Sequence, residues 1–187
     1  EAEEEEGEGE GEEEEEQESM AEEEEREAAQ ADEPPPLDEA NKGAVWSWGA
    51  GGGDQVGHGN QQYQPLPKKV EALAGQRVVA VSAGGFHSLA LTADGAVWSW
   101  GSGAYGRLGH GDAQRQLLPK KVEAFAGRRV VAVSAGVYHS LALAADGSVW
   151  SWGEGACGRL GHGDEQKQLL PKKVEAVAGR RVVAVSA

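Results

Sequence analysis

The stretch "SLALTADGAVWSWG", residues 88–101, decides the fold of this chain because it reads as two β-strands joined by a tight turn. Small and apolar residues alternate in its first half, and its second half is rich in Val and Trp, which favour strands. Asp94-Gly95 lies between the halves and is a strong signal for a two-residue hairpin turn. We therefore predict an antiparallel hairpin in which Leu91 lies opposite Trp98.

The predicted pairing sorts the side chains of this hairpin by size, because successive residues of a strand point to opposite faces. One face would carry the large side chains and the other the small ones: Leu89, Leu91, Trp98 and Trp100 against Ala90 and Ser99. A sheet of this kind stacks well on a copy of itself. We interpret the tryptophans as packing residues, since an indole ring buries roughly 150–250 Å². An aromatic binding box and a light-absorbing cluster are the alternatives.

The hairpin is one part of a 52-residue repeat. The segment "VWSWG" occurs at 45–49, 97–101 and 149–153, and these copies contain all six tryptophans. Segments 78–129 and 130–181 align without a gap and differ at 9 of 52 positions. Each repeat reads as four short strands without a helical pattern, which is typical of a β-propeller blade. We predict an all-β fold, a partial β-propeller of four-stranded blades.

Charge divides the 187-residue chain into two regions. Residues 1–40 hold 22 acidic residues and one basic residue. We predict that this Glu-rich tail and its Pro linker are disordered, because they lack the apolar residues that offset the entropy of ordering. Residues 41–187 carry a net charge of +6. They hold the repeats in this order: about 41–77 as a partial unit, 78–129, 130–181, and the start of a further unit at 182–187.

No motif in the chain indicates a membrane segment, and none indicates a cofactor. No apolar run approaches the ~18 residues that a membrane span needs. "GSGAYG" and "GEGACG" match G-x-G-x-x-G, but a dinucleotide site also needs a helix after the loop, and "RLGHGD" continues the loop instead. Cys157 is the only cysteine, which favours a reducing compartment. We predict no cofactor, no membrane partner and an intracellular location, in the cytoplasm or the nucleus.

The histidines fall at equivalent points of successive repeats, so they do not predict a metal site. Ser88 and Ser140 each follow a histidine directly, and neighbours along a strand point to opposite faces, so they do not predict a catalytic Ser–His pair. His87 and His139 are instead expected to hydrogen-bond the backbone of turns.

Taken in order, these motifs resemble the repeat of the regulator of chromosome condensation family. The resemblance rests on a Gly-x-x-His-Ser turn, a Leu-Ala-Leu strand, an Asp-Gly turn, a Trp-Ser-Trp-Gly strand and a Gly-x-Leu-Gly-x-Gly loop, within residues 43–187. It implies blades of a seven-bladed β-propeller. Members include an exchange factor for a small nuclear GTPase that also binds nucleosomes, a plant UV-B photoreceptor, and propeller domains of large ubiquitin ligases.

The resemblance is partial, because fewer than three full repeats are present, and the chain is therefore expected to be part of a larger protein. The photoreceptor's Gly-Trp-Arg-His-Thr motif corresponds here to residues 84–88 and 136–140. Those stretches contain neither Trp nor Arg, so light sensing is not expected.

The repeats indicate a non-enzymatic module that binds a protein partner, with a small GTPase or chromatin as the candidates. Guanine-nucleotide exchange on a small GTPase and substrate recognition in a ubiquitin ligase are the alternatives. Loops carry specificity in such scaffolds, and the nine positions that differ between the repeats include four in predicted loops: 85/137, 86/138, 102/154 and 105/157. The predicted contact residues there are Phe86, Tyr105 and Tyr138.

Basic residues recur in pairs on both sides of one short segment in each repeat. These predicted contact residues are Lys120, Lys121, Arg128, Arg129, Lys172, Lys173, Arg180 and Arg181. They form either a solvated rim or a docking surface for an acidic partner, such as DNA phosphate or the acidic face of a histone complex. Contact with an anion or a nucleic acid through these pairs would be weak. Our hypothesis for residues 1–33 is that they compete with such anions for Lys120, Lys121, Arg128 and Arg129.

Overall fold

The computed structural model describes residues 43–187, so the predictions made for the acidic tail and its Pro linker lie outside the described residues. The described part of the chain forms ten strands: β1 Trp46–Gly49, β2 Gln64–Lys69, β3 Val78–Ala83, β4 His87–Thr92, β5 Val97–Gly101, β6 Gln116–Lys121, β7 Val130–Ala135, β8 His139–Ala144, β9 Val149–Gly153 and β10 Gln168–Lys173. Its helical segments are 3-10 turns of three residues: Glu71–Leu73, Ala104–Gly106, Glu123–Phe125, Ala156–Gly158 and Glu175–Val177.

The strands form three antiparallel sheets in which chain neighbours pair. β1 and β2 form a two-stranded sheet, and two four-stranded sheets follow with the orders β3-β4-β5-β6 and β7-β8-β9-β10. This confirms the prediction of an all-β fold with four-stranded blades. Pro119 lies in β6, an edge strand that pairs with β5 alone, where its missing N–H disrupts no second ladder. No helix within residues 43–187 is long and apolar enough to cross a membrane.

The register of the β4–β5 hairpin differs from the prediction by one residue. Leu91 pairs with Val97, and Ala90 pairs with Trp98. The predicted pairing of Leu91 with Trp98 is therefore wrong. The next blade has the same register as the first, with Ala142 opposite Trp150.

The turn explains the shift, because its loop holds three residues and not two. The Thr92 N–H donates to the Ala96 carbonyl at 3.0 Å, so these two residues close the loop. The Gly95 N–H donates back to the Thr92 carbonyl at 2.8 Å, and Gly95 has a φ of +87°. A type I turn followed by a left-handed residue is the usual three-residue hairpin loop. Asp94-Gly95 does mark the hairpin, but Ala93 belongs to the loop as well.

A one-residue slip moves every side chain of a strand to the other face. The faces are therefore not bulky against small: Ala90, Trp98 and Trp100 share one, and Leu89, Leu91, Val97 and Ser99 share the other. Each face combines large and small side chains. The predicted partition of the side chains is wrong, although the elements that carry them are as predicted.

The tryptophans pack between blades, as predicted. The Leu–Val face of the second sheet meets the Trp face of the third in one buried cluster: Leu89, Leu91, Val97, Val122, Phe125, Val130, Ala135, Ala142 and Trp152. Trp152 is 0% exposed and Trp100 is 2% exposed. Trp46 and Trp48 are 53% and 61% exposed, because no sheet within residues 43–187 covers their face of the first sheet.

Backbone hydrogen bonds to serine join equivalent segments of successive repeats. Ser82 Oγ accepts a hydrogen bond from the Ala135 N–H at 3.0 Å, and Ser134 Oγ accepts one from the Ala187 N–H at 2.9 Å. The connections then leave each sheet at two opposite ends. We call one the loop end, which in the two four-stranded sheets comprises residues 84–86, 102–115, 136–138 and 154–167. We call the other the hairpin end, which comprises residues 93–96, 122–129, 145–148 and 174–181.

Candidate interaction site

Three aromatic side chains that the sequence predicted as contact residues meet at the loop end. Phe86 and Tyr138 stack, with ring centroids 6.2 Å apart and an interplanar angle of 22°. Tyr105 meets Tyr138 edge to face at 6.0 Å. The three side chains are 44%, 39% and 46% exposed, in the order Phe86, Tyr138, Tyr105. The structure therefore assembles one exposed aromatic patch from three loops.

Glycine allows two of these loops to touch through their backbones. A Cβ on Gly84 would lie 2.2 Å from the carbonyl oxygen of Gly136, which no side chain could tolerate. The Gly85 N–H donates to that same carbonyl at 3.3 Å. Because the two loops approach this closely, the rings that follow them can stack. The shared Gly–x–aromatic pattern of the two repeats thus positions both halves of the patch.

Arg107 lies beneath the patch, and sequence reasoning did not identify it. Its guanidinium carbon lies 5.2 Å from the Tyr138 ring centroid and 5.7 Å from those of Phe86 and Tyr105. The residue is 2% exposed, and its guanidinium donates to the Ala104 and Val137 carbonyls, each at 2.9 Å. Burial lowers the pKa of Arg107 below its usual value. The sequence did contain a signal, because an arginine recurs at the equivalent position of the next repeat. That residue, Arg159, lies 5.8 Å from the Tyr138 ring.

A buried histidine supports the patch from below. His87 Nε2 and Ser140 Oγ are 2.8 Å apart, and they come from successive blades. The Ser140 hydroxyl donates to the Arg107 carbonyl at 2.9 Å, so the His87 Nε2–H is the donor to Ser140. The predicted bond from His87 to turn backbone is wrong. Burial, the Arg107 charge and His139 together lower the pKa of His87 to about 3.

The Ser140–His87 pair has a structural role and not a catalytic one. It joins residues 53 positions apart, which is why neighbours along the chain did not reveal it. A serine nucleophile needs a base that accepts its proton. Here the Ser140 proton is held by a carbonyl, and Ser140 is fully buried. The pair therefore fixes one blade against the next.

A structural role also applies to the other three histidines of the described residues: His58, His110 and His162. His110 Nε2 lies 3.0 Å from Ser99 Oγ, the serine between the two tryptophans, and that hydroxyl donates to the Leu108 carbonyl at 2.7 Å. The same arrangement recurs at His58 and His162. Within residues 43–187 no group of three His, Cys, Asp or Glu side chains could hold a metal ion.

The Gly-rich loops close on themselves. A Cβ on Gly103 would lie 1.9 Å from the Gln114 carbonyl oxygen, so the two sides of this loop are in backbone contact. A 3-10 turn of three residues, Ala104–Gly106, follows, and the chain then returns to the sheet as β6. A pyrophosphate site would need the N-terminus of a longer helix at this point. The loop geometry therefore serves the blade.

The predicted basic residues lie at the opposite end from the aromatic patch. Lys120 and Lys121 pair with Ser99 and Trp98 near the hairpin end of β6, and Arg128 lies in the β6–β7 connection. The Arg128 guanidinium stacks 4.5 Å from the Trp150 ring and lies 3.7 Å from Asp146 Oδ2. The other residues of the set follow the same repeat: Arg129, Lys172, Lys173, Arg180 and Arg181.

Charge is distributed unequally between the two ends. For a count over all three sheets, residues 70–77 of the first sheet join the hairpin end and residues 50–63 join the loop end. With the basic pairs of β2, β6 and β10 included, the hairpin end has eleven Lys and Arg against five Asp and Glu, and the loop end has four against five. The sequence predicted the aromatic and the basic contact residues as two groups without placing them in space. The structure puts the aromatic patch at one end of the blades and the basic residues at the other.

Four-stranded antiparallel sheets, stacked through a Trp interface repeated from blade to blade, define a segment of a β-propeller. The chain belongs to the family described as the Regulator of chromosome condensation (RCC1) repeat. The family model matches residues 42–91, 94–143 and 146–187. A second model of the same repeat matches residues 78–107 and 130–159. The repeat segment is a propeller-type interaction module.

The chain is similar to several known proteins of this family. It is 45% identical over 148 residues to the human (Homo sapiens) E3 ubiquitin-protein ligase HERC2, covering 78% of this chain and 3% of that protein. It is 40% identical over 144 residues to the Ultraviolet-B receptor UVR8 of Arabidopsis thaliana, covering 76% of this chain and 33% of that one. The crystal structure of Prp20p from Saccharomyces cerevisiae matches with a TM-score of 0.59 and 28% identity, over 71% of this chain and 36% of that one.

Proposed function

We propose that the loop end of this propeller segment docks a protein partner on behalf of a larger protein. The aromatic patch formed by Phe86, Tyr105 and Tyr138 over Arg107 carries the proposal. Exposed aromatic side chains and arginine are the residue types that dominate binding energy at protein interfaces. The stacked blades supply a rigid frame, and the loop residues that differ between repeats supply the specificity.

The solved relatives indicate which partners to test first. The structure of Prp20p was described together with the binding properties of that protein to Gsp1p and histones. A small GTPase and chromatin are therefore the first candidate partners for this chain. The chain spans 3% of the length of HERC2 and 33% of the length of UVR8.

The test is quantitative binding of the 187-residue chain to a purified Gsp1-type GTPase and to reconstituted nucleosomes. Tyr138→Ser removes the ring that joins the patch, and it should weaken binding at least about 10-fold, as for an interface hot spot. The matched control is Lys167→Ser, an exposed residue at the same end. Equal affinities for the wild type and Tyr138→Ser, with both folded by circular dichroism, would contradict a role of the patch.

Chromatin binding through the hairpin end is a second candidate function, supported by eleven basic residues against five acidic ones there. Binding to DNA phosphate would weaken steeply with salt, because each neutralised phosphate releases counterions. Lys172→Ser with Lys173→Ser should reduce the salt slope by about 2. A slope that is unchanged in this variant would exclude the lysine pair from the contact.

Two further proposals concern the larger protein. Nucleotide exchange on a small GTPase needs a surface that opens the nucleotide site, and the two β5–β6 loops, 102–115 and 154–167, have equal length with no added segment. Release of labelled GDP from a GTPase, with and without the protein, decides this proposal. Recognition of substrates for ubiquitin transfer is supported by the similarity to HERC2. Ubiquitin-transfer activity of the larger protein, with and without the propeller, decides that one.

A further inference from the structure

We infer that the aromatic patch at the loop end recognises an acidic peptide, in which a carboxylate reaches Arg107 and Arg159 and an adjacent apolar side chain lies on the Phe86–Tyr138 stack. This inference rests on the proposed docking function and names the chemistry of its partner. Four observations carry it: a buried cation without a counter-ion, a second cation beside it, an apolar cleft, and the charge balance of the loop end.

Arg107 is a buried charge that the described residues leave without a carboxylate. The ion pairs within residues 43–187 join Arg115 to Asp54, Arg128 to Asp146 and Lys173 to Glu175, and none includes Arg107. Burying an unpaired cation is costly. Two carbonyls and three ring faces offset part of that cost. A carboxylate from a partner would complete the site, and planar guanidinium and carboxylate groups match in geometry.

A second guanidinium, that of Arg159, also lies near the Tyr138 ring. Arg159 is half-buried, its guanidinium carbon lies 5.8 Å from the Tyr138 ring centroid, and its Nε donates to the Ala156 carbonyl at 2.8 Å. After Tyr105 and Tyr138, Glu154 is the carboxylate whose charge acts on Arg107. Its carboxylate already accepts the Ala156 N–H at 3.2 Å. The two arginines therefore lie near one aromatic ring, and the carboxylate of Glu154 is already engaged in its own turn.

An apolar cleft adjoins Arg159 and Tyr138. Its volume is about 620 Å³, and its lining includes Gly85, Val137, Tyr138, His139, Cys157 and Arg159. Val137 is exposed beside the stacked rings. A cleft of this size accommodates side chains of a peptide rather than a folded surface. Its lining favours an apolar side chain next to the carboxylate.

The charge of the loop end distinguishes an acidic peptide from a nucleic acid. With four basic and five acidic residues, this end does not attract a polyanion over distance. The eleven basic residues at the opposite end would attract one. The two local cations favour a carboxylate, and the weak overall field disfavours a polyanion. A ligand with a single carboxylate beside an apolar group agrees with both.

The experiment selects peptides from a random display library on the wild-type 187-residue protein. Selected peptides should be enriched in Asp or Glu beside an apolar residue. Arg107→Met should weaken the binding of a selected peptide about 30-fold, and exchange of the peptide's Asp for Asn should do the same. The two changes together should cost no more than either alone, because both remove one interaction. Lys167→Met, an exposed cation at the same end, serves as the control and should leave the affinity unchanged.

Each outcome bears on the inference or on the docking function. Peptides that need Tyr138 but lack carboxylates would overturn the acidic ligand and leave the docking function standing. Failure to select any Tyr138-dependent peptide would overturn the inference, and the docking function would then be decided by the binding of the GTPase and of nucleosomes. If Arg107→Met unfolds, Arg159→Met replaces it with an expected loss of about 5-fold. The Asp-to-Asn exchange in the peptide leaves the protein intact, and unchanged binding after it would overturn the inference.

Discussion

At the scale of single residues, buried polar side chains hold the loop end in place. His87 is fully buried, yet it donates to a serine of the next blade, and that serine donates to the Arg107 carbonyl. The guanidinium of the same arginine contacts the rings of the aromatic patch. One chain of hydrogen bonds thus links blade stacking to the geometry of the aromatic patch.

The pKa of His87 predicts how stability depends on pH. The pKa is about 3 in the folded protein against an ordinary value of 6.5, so between these values the unfolded chain binds a proton that the folded protein does not. Stability from this group is present above pH 6.5 and is lost as the pH falls towards 3. His87→Gln should therefore reduce the loss of unfolding free energy between pH 6 and pH 5 by about 1 kcal/mol. Urea unfolding of both proteins at several pH values measures this, and parallel curves would contradict it.

At the scale of the element, the β4–β5 hairpin depends on its left-handed glycine. Gly95 closes the three-residue loop, and a Cβ there would lie 2.9 Å from the Arg129 Cα and 3.0 Å from the Val130 nitrogen. The equivalent Gly147 has a φ of +82° but has no atom within 4 Å of such a Cβ. A comparison of Gly95 with Gly147 therefore separates the energetic cost of the left-handed backbone from the cost of crowding against the following strand.

Alanine at the two positions should have different effects. Gly147→Ala should lower the free energy of unfolding by about 1 kcal/mol, the cost of a left-handed non-glycine residue. Gly95→Ala carries that cost and also displaces backbone of the next blade, so we expect a loss of about 2–4 kcal/mol. Chemical denaturation of the two single variants gives the comparison. Equal losses would mean that the neighbouring backbone yields without cost.

At the scale of the whole molecule, stacking of one blade on the next is the main source of burial. Phe125 meets both Trp150 and Trp152 edge to face, at 5.9 Å and 5.7 Å, at the centre of the interface. The equivalent tryptophans of the first sheet, Trp46 and Trp48, are exposed within the described residues. The same residue type at one repeat position thus has two environments in this chain.

Truncation of equivalent tryptophans should show this difference. Trp152→Ala should lower the free energy of unfolding of the 187-residue chain by about 3–5 kcal/mol, because a fully buried ring leaves a cavity. Trp48→Ala should change it by less than about 1 kcal/mol, because most of that ring is in solvent. Urea unfolding of both variants tests the pair. A similar loss at both positions would indicate that burial between blades is not what the ring contributes.

Much of this architecture follows from the sequence alone. The period of 52 residues, the strands of each repeat and the hairpin marked by Asp94-Gly95 are local patterns, and the structure confirms them. The packing role of the tryptophans follows too, because their area is too large to leave in water at every repeat. The family resemblance rests on the same motifs, and the family matches confirm it.

Only the tertiary structure decides which side chains share a face of each sheet, which end of the blades each group of residues occupies, and which residues form the aromatic patch. The third residue of the hairpin loop reversed the faces, because a strand alternates with a period of two and a one-residue slip inverts it. The His87–Ser140 bond and the Phe86–Tyr138 stack join residues 53 and 52 positions apart, which only stacking of the blades brings together. The sequence did not predict the burial of Arg107, which lies in a Gly-rich loop. Burial depends on which parts of the fold cover a residue and not on its neighbours along the chain.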